Sequence, residues 1–458
     1  MDKNSIIKDS EFLSDIYNQF SPDRPLPAND PVYVDCSSVR GNDDIIRELG
    51  RKIIRSNKPT YQLYTGHRGG GKSTEILRLE YYLKKEGCRV VYFEADEDLD
   101  LGDVGYPDIL LACTRHLVEE LNEQEEANFL YKWIGEKFKE ILDLGSSELE
   151  LQEIGIEHQM SPFAKITSTL QVVPSKRQEI RKQIESNQVS FAKIINQFIA
   201  QIKDKLKINN QTKLVIIADN LDRIPTVRNQ DGSSNHEEIF IDCSSQLKSL
   251  ICHVIYTVPI SLVYSNRSAI LRERYGDTEV LPMIMVRDKK GNRDPKGIER
   301  IKKVIEQRIN FVVASFIANN PNINQPINIT INDLFDSPES IDLLCSMTGG
   351  HAREIMLLVQ SAMDWIETFP ITRNAINKAI ATSRNTYEQQ VNHEDWPKLV
   401  EVFKRKKIIN KDEYRQLLYS RCILEYRDPD DLQVWHDVHP LIENIQQFKD
   451  AISQDNGS

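Results

Sequence analysis

The sequence predicts an α/β fold in which strands and helices alternate to build a parallel sheet. Nearly unbroken apolar, β-branched runs, such as 61–65 and 214–218, are typical of strands that are covered on both faces. A glycine-rich loop and a helical pattern at 74–86 follow the first run, and a further apolar run, 89–95, comes next. This strand–loop–helix–strand order begins a βαβ unit, and a βαβ unit requires parallel strands.

The remaining patterns predict four domains along the chain. These are an N-terminal lead-in at 1–40, an α/β core at 41–296, a helical lid at 297–390 and a C-terminal winged-helix domain at 391–458. Two more core strands are predicted at 252–258 and 280–286. The long helical stretch between the glycine loop and the run at 214–218 predicts a helical insertion at about 125–187. Two prolines predict a surface loop at 161–175 within it.

Composition narrows the classes of function. The chain has 458 residues, 40% hydrophobic and 28% charged, which is ordinary for a globular protein. No stretch approaches the roughly 18 apolar residues of a membrane span, and the N-terminus lacks a secretory signal. The formal net charge of −11 disfavours a non-specific nucleic-acid coat. Seven scattered cysteines without a C-x-x-C pair argue against zinc and disulfides. We therefore expect a soluble, cytoplasmic protein that makes no membrane contact.

The glycine-rich loop carries the strongest functional signal. Gly66, Gly71, Lys72 and Ser73 meet the G-x-x-x-x-G-K-[ST] pattern between a predicted strand and a predicted helix. In this pattern the glycines let backbone N–H groups curl around phosphate oxygens, the lysine reaches those oxygens, and the serine hydroxyl binds Mg²⁺. The alternative is a chance glycine-rich turn. We predict a P-loop NTPase core (the loop is its Walker A motif) that binds ATP and Mg²⁺. The predicted nucleotide-binding residues are Gly66, His67, Arg68, Gly69, Gly70, Gly71, Lys72, Ser73 and Thr74.

The second functional signal is acidic, and it follows the apolar run at 214–218. Asp219 comes directly after aliphatic residues, and there it is placed to hold Mg²⁺ together with Ser73. Asp222 is the candidate to orient or deprotonate the attacking water, with Asn220 as a neutral polariser. The alternative is that Asp222 only caps the loop.

These residues resemble the AAA+/STAND superfamily of ATPases. The resemblance rests on the glycine loop, the acidic strand end, Tyr256-Thr257-Val258-Pro259 and Gly349-Gly350-His351-Ala352-Arg353-Glu354. The chain looks most like bacterial AAA/STAND-type ATPases of conflict and defence systems, and more distantly like origin-recognition initiators. The resemblance implies ATP hydrolysis, with Asn220 standing where many relatives have a catalytic glutamate.

The same resemblance assigns further roles by position. Thr257 falls at the sensor-1 place and Arg353 at the sensor-2 place, where each would contact the nucleotide or the attacking water. Arg272 and Arg274 fall where an arginine finger would reach the neighbouring subunit's nucleotide in a homo-oligomer. The alternatives are an exposed strand-end threonine, a helix-terminal arginine paired with a neighbour, and an ordinary solvated helix face.

The C-terminal pattern is helix–turn–helix followed by two strands, and it resembles the winged helix of STAND and initiator ATPases. Basic residues in 404–421 make DNA contact possible, whereas in STAND proteins this domain folds onto the ADP-bound core as a latch. His439, in Asp437-Val438-His439-Pro440, resembles the histidine that touches ADP in those proteins. Its alternative role is to cap the last helix.

The function that these observations favour is an ATP-dependent switch that assembles with itself and with a separate effector or sensor protein. Such a switch fits the ATPase component of a bacterial defence system, and its hydrolysis could be slow. The second hypothesis is a DNA-binding AAA+ ATPase that loads or remodels a complex on DNA. A small-molecule kinase is disfavoured, because a lid and a winged helix follow the core where an acceptor pocket would be needed.

Overall fold

The protein is described by a computed structural model, which covers 2–41, 44–121, 124–144, 162–208, 211, 213–230, 232–320, 328–408 and 411–455. The chain forms two compact units. We call Ile45–Thr65 together with Leu79–Glu279 the sheet unit. We call Met1–Asp44, Gly66–Arg78 and Val280–Ser458 the loop unit, because it contains the glycine loop.

A five-stranded sheet forms the α/β core, in the order β2-β3-β4-β1-β5. Its strands are β1 Tyr61–Gly66, β2 Cys88–Glu94, β3 Lys213–Asp219, β4 His253–Thr257 and β5 Glu279–Leu281. β2 pairs with β3, β3 with β4 and β4 with β1, all in parallel. Apolar residues of β3 and β4 are completely buried, as expected for strands covered on both faces. The parallel sheet that the sequence predicted is confirmed.

The fifth strand is shorter than the predicted run at 280–286. It ends at Leu281, since Pro282 has no N–H with which to continue the ladder. The following backbone donors turn elsewhere: Met283 N–H donates to the Glu425 carbonyl and Met285 N–H to the Val39 carbonyl. The apolar pattern at 280–286 therefore indicates burial, whereas these hydrogen bonds keep the residues after Leu281 out of the strand.

Helices surround the strands of the sheet unit. The longer ones are Tyr106–Leu121, Gln124–Leu144, Pro162–Val172, Pro174–Ser186 and Gln188–Ile208. The shorter ones are Ile46–Gly50, Arg51–Arg55, Ala95–Asp98, Leu221–Arg223, Asn235–Glu237, Glu238–Asp242, Ser244–Leu247, Ile260–Val263 and Ser268–Tyr275. The predicted loop at 161–175 is wrong over its described part. Pro162 and Pro174 each begin a helix, where a missing N–H costs no hydrogen bond.

The loop unit is mainly helical. Its helices are Lys3–Ile7, Ser10–Gln19, Ser37–Val39, Pro295–Asn319, Ile331–Leu334, Pro338–Met347, Ala352–Met363, Arg373–Gln390, His393–Asp395, Trp396–Arg405, Lys411–Tyr419 and Gln446–Asp455. We keep the name lid for Pro295–Gln390. Within the lid, the helix Pro338–Met347 ends just before Gly349 and Gly350, which adopt positive φ angles of 59° and 74°.

Three helices, Trp396–Arg405, Lys411–Tyr419 and Gln446–Asp455, and an antiparallel pair of strands form the C-terminal module, Trp396–Asp455. The first two of these helices come before the strands β6 Ile423–Arg427 and β7 Val434–Val438, which is the order of elements predicted for a winged helix. Within the part of the chain that the structure describes, no helix is long and apolar enough to cross a membrane. All seven cysteines are free, and six of them are buried.

Candidate nucleotide site

The glycine loop has the backbone that its sequence predicts. Gly66, Gly69 and Gly71 have φ angles of 150°, 82° and 103°, which side chains other than glycine rarely adopt. The next helix, Lys72–Lys85, begins where the loop ends. A loop of this shape at a helix N-terminus points backbone N–H groups at one place, and that arrangement attracts phosphate.

Lys72 lies over this loop. Its side chain is buried, and Nζ donates to the carbonyl oxygens of Gly66 and His67 at 3.0 Å each. Phosphate oxygens are stronger acceptors for an ammonium group than neutral carbonyls, because they carry charge. Thr74 lies two residues after Lys72 in the same helix, and its hydroxyl accepts a hydrogen bond from Leu26 N–H at 3.1 Å.

His67 joins the loop to the C-terminal module. Its imidazole is buried, and Nε2 accepts the N–H of Glu425 in β6 at 2.9 Å. Nδ1 therefore carries the proton and donates to the Leu418 carbonyl at 3.2 Å. Burial first, and the nearby Lys72 charge second, lower the pKa of His67 to about 3. A neutral histidine thus satisfies both ring nitrogens across the two parts of the loop unit.

The lid contacts the next two residues of the loop. His351 Nε2 donates to the Arg68 carbonyl at 2.8 Å, and Arg353 N–H donates to the Gly69 carbonyl at 3.0 Å. A Cβ built on Gly69 would lie 2.9 Å from the His351 ring and 3.0 Å from Arg353 Cβ, so only glycine fits there. The predicted sensor-2 residue, Arg353, therefore lies against the glycine loop, and its guanidinium role stays a prediction.

Arg40 supports the loop from the N-terminal segment, and the sequence analysis did not find it. Its buried guanidinium donates to the Gly70 carbonyl at 2.8 Å and to the Pro282 carbonyl at 3.1 Å. Arg40 belongs to no recognisable motif, so nothing in the sequence indicated this contact.

The carboxyl end of β3 carries the acidic part of the site in the sheet unit. Asp219 is completely buried, and its carboxylate accepts the Asn220 N–H at 2.8 Å and the Tyr92 hydroxyl at 3.4 Å. Asn220 has a φ angle of 65°, and its amide donates to Glu94 and Asp96 at 2.7 Å each. Sequence analysis missed Glu94, which ends an ordinary core strand, and Asp96, which follows it.

Two other predicted catalytic residues lie at this edge. Asp222 is buried in the short helix Leu221–Arg223. Thr257 ends β4, the strand beside β3, and is completely buried. Among the described residues, its hydroxyl has no hydrogen-bond partner. A buried polar group without a partner is costly, so this hydroxyl is suited to a water molecule or a phosphate oxygen.

The predicted finger residues are on the surface. Arg272 and Arg274 are exposed on the helix Ser268–Tyr275, and Arg272 pairs with Asp277 at 2.7 Å. Exposure is compatible with either a finger or a solvated helix face, so the role stays a prediction.

His439 does not cap the last helix, which begins at Gln446. It is completely buried and stacks on Tyr387, with ring centroids 4.4 Å apart, and its Nδ1 accepts the Leu441 N–H at 3.3 Å. The capping role suggested by the sequence is wrong in this respect. Its contact with nucleotide stays a hypothesis.

Mg²⁺ is the metal that the loop implies. Ser73 in the loop unit and Asp219 in the sheet unit each carry a hard oxygen donor of the kind Mg²⁺ prefers, and their shared role as ligands stays a prediction. The described residues contain no group of three or more His, Cys, Asp or Glu that could hold a metal on their own. Mg²⁺ usually takes one or two protein ligands and completes its shell with phosphates and water.

Comparison with known families agrees with this geometry. Residues 43–230 match the model of the KAP family P-loop domain, and this span includes both the glycine loop and the acidic end of β3. The chain therefore carries a P-loop NTPase domain. A search of curated proteins finds no match.

Three solved structures are similar to this chain over most of its length, but only weakly. They are the Walker-type ATPase PABY2304 of Pyrococcus abyssi (11% identity, 92% of this chain and 98% of that chain, TM-score 0.38), the ORC2 protein of Aeropyrum pernix (11%, 96% and 98%, 0.34) and Cdc6p of Pyrobaculum aerophilum (12%, 92% and 99%, 0.35). At these values the likeness does not bear on function.

The buried, neutral His67 predicts an acid-sensitive fold. Below pH 6.5 the His67 imidazole binds a proton in the unfolded chain. In the folded state its pKa is about 3, so it stays unprotonated until the pH is much lower. The free energy of unfolding therefore falls by up to about 1.4 kcal/mol per pH unit between those values, and this term is constant above them. Denaturant unfolding at pH 7.5 and pH 5 measures this dependence.

Replacement of the imidazole removes this contribution. The destabilisation caused by His67→Gln should therefore be smaller at pH 5 than at pH 7.5, by roughly 2 kcal/mol. The matched control is His393→Gln, at an exposed position. If the cost of His67→Gln were the same at both pH values, the folded state would already hold the proton.

Proposed function

We propose that the protein is a Mg²⁺-dependent ATPase that works as a nucleotide-controlled switch. The observation that carries the proposal is the set of hydrogen bonds from the glycine loop to the lid and to the C-terminal module. Three successive loop residues, His67 to Gly69, take part in these bonds. A phosphate that reshapes the loop must change contacts with both parts, so ATP and ADP would stabilise different arrangements.

The residues divide into three roles. The loop and Lys72 bind the phosphates, and Ser73 with Asp219 would hold Mg²⁺, which neutralises charge on the phosphates when it is bound. Thr257 and Arg353 are proposed to contact the γ-phosphate or the attacking water. Asp222 and Asn220 were the sequence's candidates for activating that water.

ATP binding would free the lid and the C-terminal module, and hydrolysis would restore their contacts with the loop. The resemblance to bacterial conflict and defence ATPases supports a role as the ATPase component of a defence system in the cytoplasm. In such a system the switch acts on a separate effector or sensor protein, and copies of the chain assemble with each other.

DNA binding through the C-terminal module is the weaker candidate. Several of its basic side chains already have carboxylate partners: Lys404 pairs with Asp455, Lys406 with Asp437 and Arg415 with Asp412. A cation that is already paired gains less from a DNA phosphate, because the existing bond must be broken first.

Lys72→Ala should weaken ATP binding at least about 100-fold. Charge-assisted bonds to the phosphates contribute up to about 3 kcal/mol, and every 1.4 kcal/mol is a factor of ten. Calorimetric titration with Mg-ATP measures the dissociation constant. Lys84→Ala, an exposed lysine on the same helix, is the matched control and should bind normally. Unchanged affinity in Lys72→Ala would refute the nucleotide site.

The homo-oligomer is tested by the two exposed arginines. Arg272→Glu combined with Arg274→Glu should remove hydrolysis without weakening ATP binding, because each chain keeps its own loop. Mixing this double variant with Lys72→Ala should restore part of the activity, since finger contributions of about 10³–10⁵ in rate make partial rescue measurable. A specific activity that does not change with protein concentration, together with an inactive mixture, would refute the finger.

A further inference from the structure

The ends of β2 and β3 bring a carboxylate and an amide together. Glu94, the last residue of β2, is the register partner of Asp219, the last residue of β3. Neighbouring strands lie about 4.8 Å apart, so the two carboxylates share one edge of the sheet. Ligands of parallel α/β sheets bind at this edge, beyond the carboxyl ends of the strands.

Asn220 occupies the position directly after the proposed Mg²⁺ ligand Asp219. Both protons of its side-chain amide are used, one towards Glu94 Oε2 and one towards Asp96 Oδ1, at 2.7 Å each. A neutral amide cannot accept a proton from water, and here its N–H groups hold carboxylates in place. The two carboxylates that this amide holds, Glu94 and Asp96, are therefore candidates for the base.

Glu94 and Asp96 share the Asn220 amide but differ in their other partners. Asp96 forms an ion pair with Arg223, so this carboxylate is already occupied by a cation. Among the described residues, Glu94 has only neutral donors, the Asn220 amide and the Tyr92 hydroxyl at 3.3 Å. Its side chain is partly exposed, so water can reach it.

Tyr92 fixes the geometry of the two strand ends. Its hydroxyl lies 3.3 Å from Glu94 Oε1 and 3.4 Å from Asp219 Oδ2. The phenol hydroxyl lies between the two carboxylates and can donate its proton to either of them. An independent feature of the same edge is the completely buried Thr257 hydroxyl one strand further, which has no hydrogen-bond partner in the described residues.

We propose that Glu94, in place of Asp222, is the catalytic base of the ATPase reaction, with Asn220 and Tyr92 as its positioning residues. The inference rests on the proposed function. A water oxygen attacks the γ-phosphorus, and one water proton passes to the Glu94 carboxylate. The bond between the γ-phosphorus and the bridging oxygen breaks, and its electron pair stays on ADP. Glu94 then returns the proton to solvent. Asp222, buried in the short helix that follows, keeps a structural role.

Glu94→Gln tests this assignment with little change of shape, since a glutamine oxygen can still accept the Asn220 N–H. Turnover of the full chain is measured as phosphate release under saturating Mg-ATP, and Mg-ATP affinity by calorimetric titration. We expect kcat to fall about 10²–10⁴-fold, the usual contribution of a general base, while the dissociation constant changes less than about threefold. Glu97→Gln is the matched control, because it removes an exposed carboxylate three positions away and should leave kcat unchanged.

Each outcome separates the inference from the proposed function. If the unaltered protein hydrolyses ATP and Glu94→Gln turns over equally fast, Glu94 is not the base and the ATPase assignment stands. If Asp222→Asn loses turnover while Glu94→Gln keeps it, the base is Asp222. If the unaltered protein binds Mg-ATP without any turnover, both the base and the hydrolytic function are refuted. In that case the Lys72→Ala titration still reports on binding.

Discussion

One neutral histidine, His67, connects the glycine loop to the C-terminal module. His67 is part of the glycine loop, yet both of its ring nitrogens are bonded to the C-terminal module, at Leu418 and Glu425. Desolvation keeps it uncharged, and a charged imidazole could not accept the Glu425 N–H. The side chain of this glycine-loop residue thus contacts a module that lies more than 300 positions later in the sequence.

The lid is attached to the same loop by a different kind of bond. There the loop supplies carbonyl oxygens, and the lid supplies donors from His351 and the Arg353 backbone. Burial and the Arg421 charge lower the pKa of His351 well below its usual value, so it too remains neutral. The two histidines therefore contact the glycine loop and the C-terminal module as neutral groups, whereas Lys72 and Arg40 donate to loop carbonyls as cations.

The sequence predicted the elements and the loop well, because both are local. The order of helices and strands in the C-terminal module agrees with the structure, since periodicity and turn residues determine it. Pairings between distant residues could not be predicted. His67 fills a variable position of the motif. Glu94 ends an ordinary strand, so only the register of β2 against β3 reveals that Glu94 lies beside Asp219. The assignment of Asp222 was made on proximity in sequence, and proximity in the sheet favours Glu94.

The central claim is that nucleotide at the glycine loop changes the contacts of the C-terminal module through His67. Amide hydrogen exchange at Glu425 measures this most directly, because that N–H is the one His67 Nε2 accepts. The account predicts that saturating Mg-ATP accelerates exchange at Glu425, and that Lys72→Ala shows no such acceleration under the same conditions. If Mg-ATP binds, as titration would show, and exchange at Glu425 does not change, the loop and the module are not coupled and the claim is wrong.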